Sequence, residues 1–313
     1  MGGTFWLPRR GSTFAADVDF AWDLVFWISV FFFVLITSLL VWFVLRYRER
    51  PGYVAQPASS HNTPLEIFWS VVPTLIVAGL FWTGYKTYLD MATPPAGAYE
   101  IQVTGQKWNW LFTYPNGYVD GQLHVPEDTP VRLVMTSQDV MHAFFVPTFR
   151  VKRDVLPGRY TDLWFEAIEP GTHEVLCAEY CGTSHSTMLT KVVVHERADY
   201  ERWLAEASDF LRLLPPAEAG QLLYAQRGCK QCHSVDGKAG IGPTLQGLFG
   251  HDQPLTGGGS VRVDENYIRE SVLVPRAKIA AGYEAVMPSY QGRLRDEEIA
   301  AIVEYLKTLK GSP

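Results

Sequence analysis

Two long apolar runs near the start of the chain differ from everything that follows. Leu24–Leu45 continues for 22 residues without a charged side chain, and Ile67–Tyr85 adds 19 more. Each run is long enough to cross a bilayer as a helix. The pattern therefore predicts a membrane-spanning hairpin within residues 1–91, with spans at about 23–46 and 65–88.

The charges beside the first run indicate how the hairpin is oriented. Its far end carries Arg46, Arg48 and Arg50, whereas its near end carries Asp17, Asp19 and Asp23. Because positive residues mark cytoplasmic loops, the connection between the spans is predicted to lie in the cytoplasm, with both ends of the chain outside. Residues 1–22 have no apolar core of signal-peptide length, so we expect no cleavable leader within this sequence.

Short apolar or alternating stretches replace the long runs after residue 92. Eight of them read as strands: IQV, WNWLFTY, QLHV, VRLVMTS, AFFV, RYTDLWFEA, THEVLC and LTKVVVH. Their close spacing and the turn residues between them predict an antiparallel sandwich or barrel over residues 92–205. This region is acidic, with nine Lys and Arg against 14 Asp and Glu.

The last third of the chain has helical periodicity. An amphipathic helix is predicted over 200–214 and ends at Pro215 and Pro216. Residues 206–216 are predicted to link to a final module, 217–313, with helices over 217–227 and 296–310. This module is neutral, with 11 Lys and Arg against 11 Asp and Glu. The whole chain has a net charge of -6, and no nucleic-acid partner is expected.

The stretch CAEYCGTSHSTM gathers soft metal ligands. Cys177, Cys181, His185 and Met188 fall within twelve residues. Thiolate, imidazole and thioether together favour copper over hard cations. A small disulfide loop between the two cysteines is an alternative, and so is zinc, although structural zinc sites seldom recruit methionine. His142, in DVMHAFFVP at the end of a strand-like run, is a candidate fifth ligand.

A second motif, GCKQCHS, predicts a covalently bound c-type haem. Cys229 and Cys232 would carry the thioether bonds, and the adjacent His233 would be one axial ligand. Met287 is the only methionine after residue 188 and is the expected second axial ligand, with His251 as its competitor. Ligation by histidine and methionine raises the haem potential into the range that suits electron transfer from a cytochrome c donor. A redox Cys-x-x-Cys motif is the weaker alternative, because it does not need the histidine.

The strings HAFFVP and CAEYCGTSHSTM resemble the dinuclear copper domain, called CuA, of cytochrome c oxidase subunit II. The resemblance implies a cupredoxin-like Greek-key barrel in which the two cysteines bridge two coppers. His142, His185, Met188 and the carbonyl of Glu179 would complete the ligand set. It also implies that the Glu179 side chain faces a magnesium ion at the boundary with subunit I.

Two further residues gain roles through the resemblance. Trp108, in WNW, matches the first tryptophan of an aromatic motif near which electrons reach CuA, although WYW is the commoner form. Without the resemblance it would be a core aromatic. Glu66 matches the glutamate at the cytoplasmic mouth of the K proton channel. Its plainer interpretation is a carboxylate favoured in the first turn of a helix.

With the haem motif included, the chain resembles subunit II of a caa-type oxidase, in which a class I, all-α cytochrome c follows the CuA domain. The resemblance implies a subunit of a terminal oxidase in the bacterial inner membrane. An external donor, such as a soluble redox protein, would reduce the haem, and CuA would pass electrons to subunit I for oxygen reduction coupled to proton pumping. Subunit III, smaller subunits and membrane lipid are the other expected partners.

Two other classes of protein share parts of this pattern. A nitrous-oxide reductase has a CuA domain, but 313 residues cannot also hold its catalytic propeller. A membrane-tethered electron-transfer or copper-handling protein that has no oxidase partner is the second alternative.

Overall fold

A computed structural model of the chain describes residues 3–52, 54 and 59–311. The first two elements are long helices, α1 (Phe14–Tyr47) and α2 (Thr63–Ala92), which contact each other. Both are long and apolar enough to cross a membrane, and their most apolar windows have no buried residue. This arrangement confirms the predicted hairpin. Helix α1 begins nine residues before the predicted span.

The early start of α1 has a structural cause in its first turns. Asp19 is 3% exposed, and its carboxylate accepts hydrogen bonds from Arg10 Nε and Arg150 Nε, both at 2.8 Å. Just before the helix, Ser12 Oγ donates to the carbonyl oxygen of Phe149 at 2.8 Å. These contacts join the outer end of α1 to the next domain, which therefore lies directly on the membrane hairpin.

Residues 99–195 form a β-sandwich, which we call the β-sandwich module. Its ten strands are β1 (Tyr99–Gln106), β2 (Asn109–Thr113), β3 (Val119–Asp120), β4 (Leu123–Pro126), β5 (Pro130–Ser137), β6 (His142–Val146), β7 (Val151–Val155), β8 (Thr161–Glu166), β9 (Gly171–Cys177) and β10 (Leu189–His195). The two sheets have the orders β3-β2-β1-β5-β8 and β4-β10-β9-β6-β7. This architecture confirms the predicted cupredoxin-like fold.

The pairing within the sheets is mixed rather than wholly antiparallel. Strands β1 and β5 run parallel, as do β4 and β10, while the remaining pairs are antiparallel. Alternate residues of β5 are buried along its whole length, as the period of a strand requires. Trp110, Phe112 and Phe144 fill the core between the sheets with edge-to-face aromatic contacts.

The predicted linker is mostly helical. Helix α3 (Arg197–Ser208) begins before it, and the short α4 (Phe210–Leu213) lies within it. The helical module follows, which we define as residues 216–311. It contains α5 (Pro216–Gln226), α6 (Glu265–Leu273) and α7 (Asp296–Thr308), and α5 packs closely against α7. A hairpin that the sequence did not predict, β11 (Asp252–Pro254) with β12 (Ser260–Arg262), adds a small sheet to this otherwise helical module.

Candidate metal centre and haem crevice

Strand pairing brings the candidate metal ligands together at one end of the β-sandwich module. His142 opens β6 and Cys177 closes β9, and these strands pair with Phe144 opposite Cys177. The loop from β9 to β10 then supplies Cys181, His185 and Met188. Two residues separated by 35 positions in the sequence thus become neighbours because their strands are adjacent.

The two cysteine sulfur atoms lie close together, and the other four predicted donors each lie within contact distance of one of them. Cys177 Sγ is 3.8 Å from Cys181 Sγ, 3.9 Å from His142 Nδ1 and 3.2 Å from the carbonyl oxygen of Glu179. Cys181 Sγ is 3.6 Å from His185 Nδ1 and 3.7 Å from Met188 Sδ. Each sulfur therefore has its own imidazole and one weaker donor.

This geometry decides between the alternatives left open by the sequence. A disulfide needs sulfur atoms about 2.05 Å apart, whereas Cys177 and Cys181 are free thiols at 3.8 Å. The disulfide alternative is therefore wrong. Two thiolates facing each other, with imidazole and thioether donors outside them, fit a soft dinuclear centre better than a single tetrahedral zinc.

The two thiols have opposite pKa shifts. Burial alone would raise the pKa of Cys177, but hydrogen bonds from His142 and the Ala143 and Glu179 backbone bring that pKa below its usual value. Burial, followed by the charge of Cys177, raises the pKa of Cys181. One thiolate thus forms readily, while the second needs a positive charge nearby. A metal cation supplies such a charge.

Asp139 is a functional residue that the sequence analysis missed. Its Oδ1 lies 2.9 Å from His142 Nε2, and its Oδ2 accepts a hydrogen bond from the backbone N–H of Lys107 at 2.7 Å. A carboxylate on the far nitrogen of a ligating histidine fixes the ring orientation and the tautomer. Its position three residues before His142 was the available signal.

Trp108 lies beside the metal site. The residue is 6% exposed, and a Cβ on Gly182, within the ligand loop, would lie 3.2 Å from its Cζ2. The neighbouring Lys107 and Asn109 line the crevice of the helical module. The segment 107–109 therefore lies between the two candidate cofactor sites, which supports the role suggested for Trp108.

The haem motif lies at the wall of this crevice, directly after α5. Cys229, Cys232, His233 and Met287 all line it. His233 Nδ1 lies 2.8 Å from the carbonyl oxygen of Pro243, and burial lowers the pKa of the ring. A neutral imidazole that donates from Nδ1 has its Nε2 lone pair free for iron.

The chemistry of the crevice fits a haem. Apart from the motif, most of its lining is apolar: Ile241, Pro243, Leu245, Leu248, Ile268, Val272, Ile302 and Leu306. Met287 shares the crevice with His233, whereas the competing His251 is exposed and is not among the lining residues. The observed placement favours methionine as the second axial ligand.

The last two predicted residues have less specific surroundings. Glu66 lies in the first turn of α2, where its Oε1 accepts the Asn62 N–H at 3.1 Å, so it caps the helix whatever else it does. The Glu179 side chain is half-buried. Within the described residues, the one cluster of potential metal ligands is His142 with Cys177 and Cys181. That cluster does not include the Glu179 carboxylate.

Three known protein families match successive parts of the chain. "Cytochrome C oxidase subunit II, transmembrane domain" matches residues 3–82, and "Cytochrome C oxidase subunit II, periplasmic domain" matches residues 116–196. "Cytochrome c" matches residues 217–310. The matches follow the chain in the same order as the hairpin, the β-sandwich module and the helical module.

Curated proteins give the same result. Cytochrome c oxidase subunit 2 of Alkalihalophilus pseudofirmus is 32% identical over 307 residues, covering 92% of this chain and 86% of that protein. The alternative cytochrome c oxidase subunit 2 of Bradyrhizobium diazoefficiens is also 32% identical, over 228 residues, covering 63% of this chain and 82% of its own length. Cytochrome c oxidase subunit 2 of Synechocystis is 30% identical over 248 residues, which cover 64% of this chain and 75% of that protein.

Proposed function

The chain belongs to the cytochrome c oxidase subunit II family, and from this membership we propose the order in which it handles electrons. It is the subunit of a haem–copper oxidase that carries a CuA and a cytochrome c domain and transfers electrons to subunit I. We propose that an external donor reduces the helical module first. The β-sandwich module then passes the electron to subunit I, where oxygen is reduced with proton pumping.

One observation carries this proposal, the convergence of four donors on the two cysteine sulfur atoms. We assign His142, Cys177, Cys181, His185, Met188 and the Glu179 carbonyl as the copper ligands. When bound, the two coppers and the haem accept and release single electrons. The chain's contribution is rigidity and exclusion of water, because Met188 is fully buried and Cys181 is 3% exposed. A fixed, dry ligand set keeps the geometry constant between redox states.

The haem assignment rests on the four motif and loop residues that share the crevice. Cys229 and Cys232 would hold the porphyrin covalently, while His233 and Met287, which line the same crevice, would supply the two protein ligands of the iron. Methionine opposite histidine raises the potential of a haem, as an acceptor of electrons from soluble donors requires. Trp108, between crevice and copper loop, is proposed as the entry point of electrons into the copper site.

The placement of the chain follows from its family and its charges. It is a membrane protein with two spans and a periplasmic copper domain. We further propose a bacterial inner membrane, with both termini and the helical module outside. This orientation leaves Glu66 at the cytoplasmic side, where we propose that it admits protons to subunit I. A magnesium ion between Glu179 and subunit I remains part of the proposal, as do subunit III and smaller partners.

Metal analysis combined with one optical spectrum tests this function. The purified complex should contain two CuA coppers and one covalent haem c per copy of this chain, together with haem a from subunit I. A single zinc in place of the coppers would contradict the ligand assignment. Absence of any copurifying haem-bearing membrane subunit would instead favour a tethered electron-transfer protein.

A further inference from the structure

The two modules meet at a polar contact at the end of α5. Gln226 Nε2 donates hydrogen bonds to the Tyr118 hydroxyl and to Asp120 Oδ2, both at 3.1 Å, while Tyr118 donates to the same Asp120 oxygen at 2.9 Å. We call these three residues the latch. We propose that the latch keeps the helical module docked on the β-sandwich module throughout electron transfer, so that this module does not swing on its connection.

Asp120 is buried in the latch and therefore needs hydrogen-bond donors. Asp120 is 4% exposed, and Tyr118 is 8% exposed. A buried carboxylate is costly unless it is hydrogen-bonded. Burial raises the pKa of Asp120, against the hydrogen bonds that favour the charged form. The other charged or titratable neighbours are Arg227, Tyr114 and His124. The pKa of Tyr114 is raised by burial, so its hydroxyl stays protonated. His124 Nε2 lies 4.0 Å away, and burial lowers the pKa of His124 to about 3, so its ring is neutral. Gln226 is therefore the neutral donor that α5 contributes.

The backbones also fit closely at this contact. A Cβ on Gly121 would lie 2.5 Å from the carbonyl oxygen of Gln226 and 3.2 Å from its Cα. A Cβ on Gly228 would lie 2.7 Å from the side chain of Asn109. Real side chains do not approach that closely, so the modules meet where glycine removes the obstacle. Such complementarity indicates one specific docked position.

The connection between the modules is itself packed on the β-sandwich module. Phe210 is 5% exposed, and its ring lies 6.4 Å from that of Tyr118. Asn116 Nδ2 donates to Ser208 Oγ at 2.8 Å, and the Trp203 ring stacks on His124 at 4.0 Å. The connection thus has little free length with which to swing the helical module away.

Docking also places the haem crevice beside the copper site. Gln106, Lys107 and Asn109 of the β-sandwich module form part of the crevice wall, and Arg293 hydrogen-bonds to Gln106. The Lys107 N–H donates to Asp139, whose other oxygen contacts His142. A short hydrogen-bonded path therefore runs from the crevice wall to a copper ligand without any movement. This inference rests on the proposed function, because it concerns transfer between the two modules.

The test is a single change of charge at the latch. Gln226→Glu replaces the donor with a carboxylate facing Asp120, and two like charges placed together repel each other. Gln221→Glu, an exposed position on the same helix, is the matched control. Asp120→Asn in the Gln226→Glu background should restore docking by supplying a donor. Gly121→Ala is an uncharged second variant that separates the backbones by steric contact alone.

Hydrogen exchange gives a readout that does not depend on electron transfer. We expect the amides of residues 117–122 and 226–229 of the intact complex to exchange roughly tenfold faster or more in Gln226→Glu at pH 8, since tenfold corresponds to 1.4 kcal/mol. Protection should return as pH falls, because two facing carboxylates share a proton. Gln221→Glu and strand β5 should remain unchanged. Exchange in Gln226→Glu equal to that in Gln221→Glu would overturn the latch.

Flash-induced electron injection into the haem supplies the second readout. The haem-to-copper rate should fall in Gln226→Glu and Gly121→Ala and recover in the Asp120→Asn double variant, with both optical bands intact. An unchanged rate together with faster exchange would show that transfer does not need the docked state, which also overturns the proposal. If the wild-type chain itself transfers no electron from haem to copper, the proposed function fails instead.

Discussion

The crossing of α5 and α7 allows a prediction whose size follows from the structure. Gly220 lies where the two helices touch, and an added Cβ would lie 2.6 Å from the Ala301 carbonyl carbon and 2.7 Å from Tyr305 Cβ, with the Ala301 carbonyl oxygen closer still. The obstacle is mainly backbone, which cannot rotate away. Gly220→Ala should therefore force α7 outward, although alanine favours a helix.

The cost lies at the upper end of what overpacking produces. An inserted methylene typically lowers the free energy of unfolding by about 1–3 kcal/mol and occasionally by more. Because the atoms in the way at Gly220 are mainly backbone atoms, we expect a loss of about 3 kcal/mol or more. For a domain of this size, 1 kcal/mol lowers Tm by about 4–8 °C. We therefore expect the helical module of Gly220→Ala to unfold at least about 12 °C below wild type. Ile302 and Leu306 of α7 line the haem crevice, so the haem environment should change as well.

Thermal unfolding followed at the haem Soret band measures this shift, with the copper absorption as the internal reference for the β-sandwich module. Gly282→Ala is the comparator, because Gly282 has a positive φ of 86° but no atom within 4 Å of an added Cβ. Gly282→Ala should lower the free energy of unfolding by only about 1–2 kcal/mol, which is the cost of a left-handed backbone conformation at a residue with a Cβ. A Gly220→Ala chain that unfolds within about 2 °C of wild type would refute the steric argument.

Four further predictions concern the cofactors and the transfer of protons and electrons. Met287→Ala should abolish the sulfur-to-iron band and lower the haem potential while the haem stays attached, whereas a haem spectrum and potential that change in His251→Ala but not in Met287→Ala would show that histidine is the ligand. Asp139→Ala should weaken copper binding by about 10- to 100-fold, because His142 loses its orienting partner; copper titration checks this, and unchanged affinity would contradict it. Glu66→Gln should slow proton delivery during turnover with both electron carriers intact, and unchanged turnover across pH would leave only the capping role. Haem-to-copper transfer should be nearly independent of ionic strength and of protein concentration, and a rate that falls steeply with salt would contradict docking through hydrogen bonds.

Periodicity predicted most of the fold, and its failures have physical causes. Each of the eight predicted strands has a counterpart, but Val119–Asp120 and Val151–Val155 were missed, because the first is only two residues long and the second has the polar centre Lys-Arg-Asp. Neither segment is long or apolar enough to show an alternating pattern. The parallel pairs were missed because alternation shows which face is buried but not which strand lies beside it.

The site residues that were predicted have roles that follow from local spacing in the sequence, whereas those that were missed have roles that depend on distant parts of the fold. The proposed copper and haem ligands stand out in the sequence because metals need particular atoms at particular spacings, and twelve residues hold most of one set. Asp139 and Gln226 act through residues elsewhere in the fold. Gln226 meets Asp120 across 106 positions of sequence, and both residue types are ordinary on a surface. Only the folded chain reveals that these polar groups are buried together.

The interface explains why the two modules need no opposite charges. The β-sandwich region is acidic and the helical module is neutral, so long-range attraction between them is weak. Among the described residues, no ion pair joins the two modules, and the contacts between them are hydrogen bonds and close backbone approaches. A free donor must be captured from solution, where charge attraction raises the rate of encounter. A tethered and latched module is already present at high effective concentration. Selection for complementary charge would therefore act on the outer rim of the crevice, where the external donor arrives, rather than on the surface that faces the copper site.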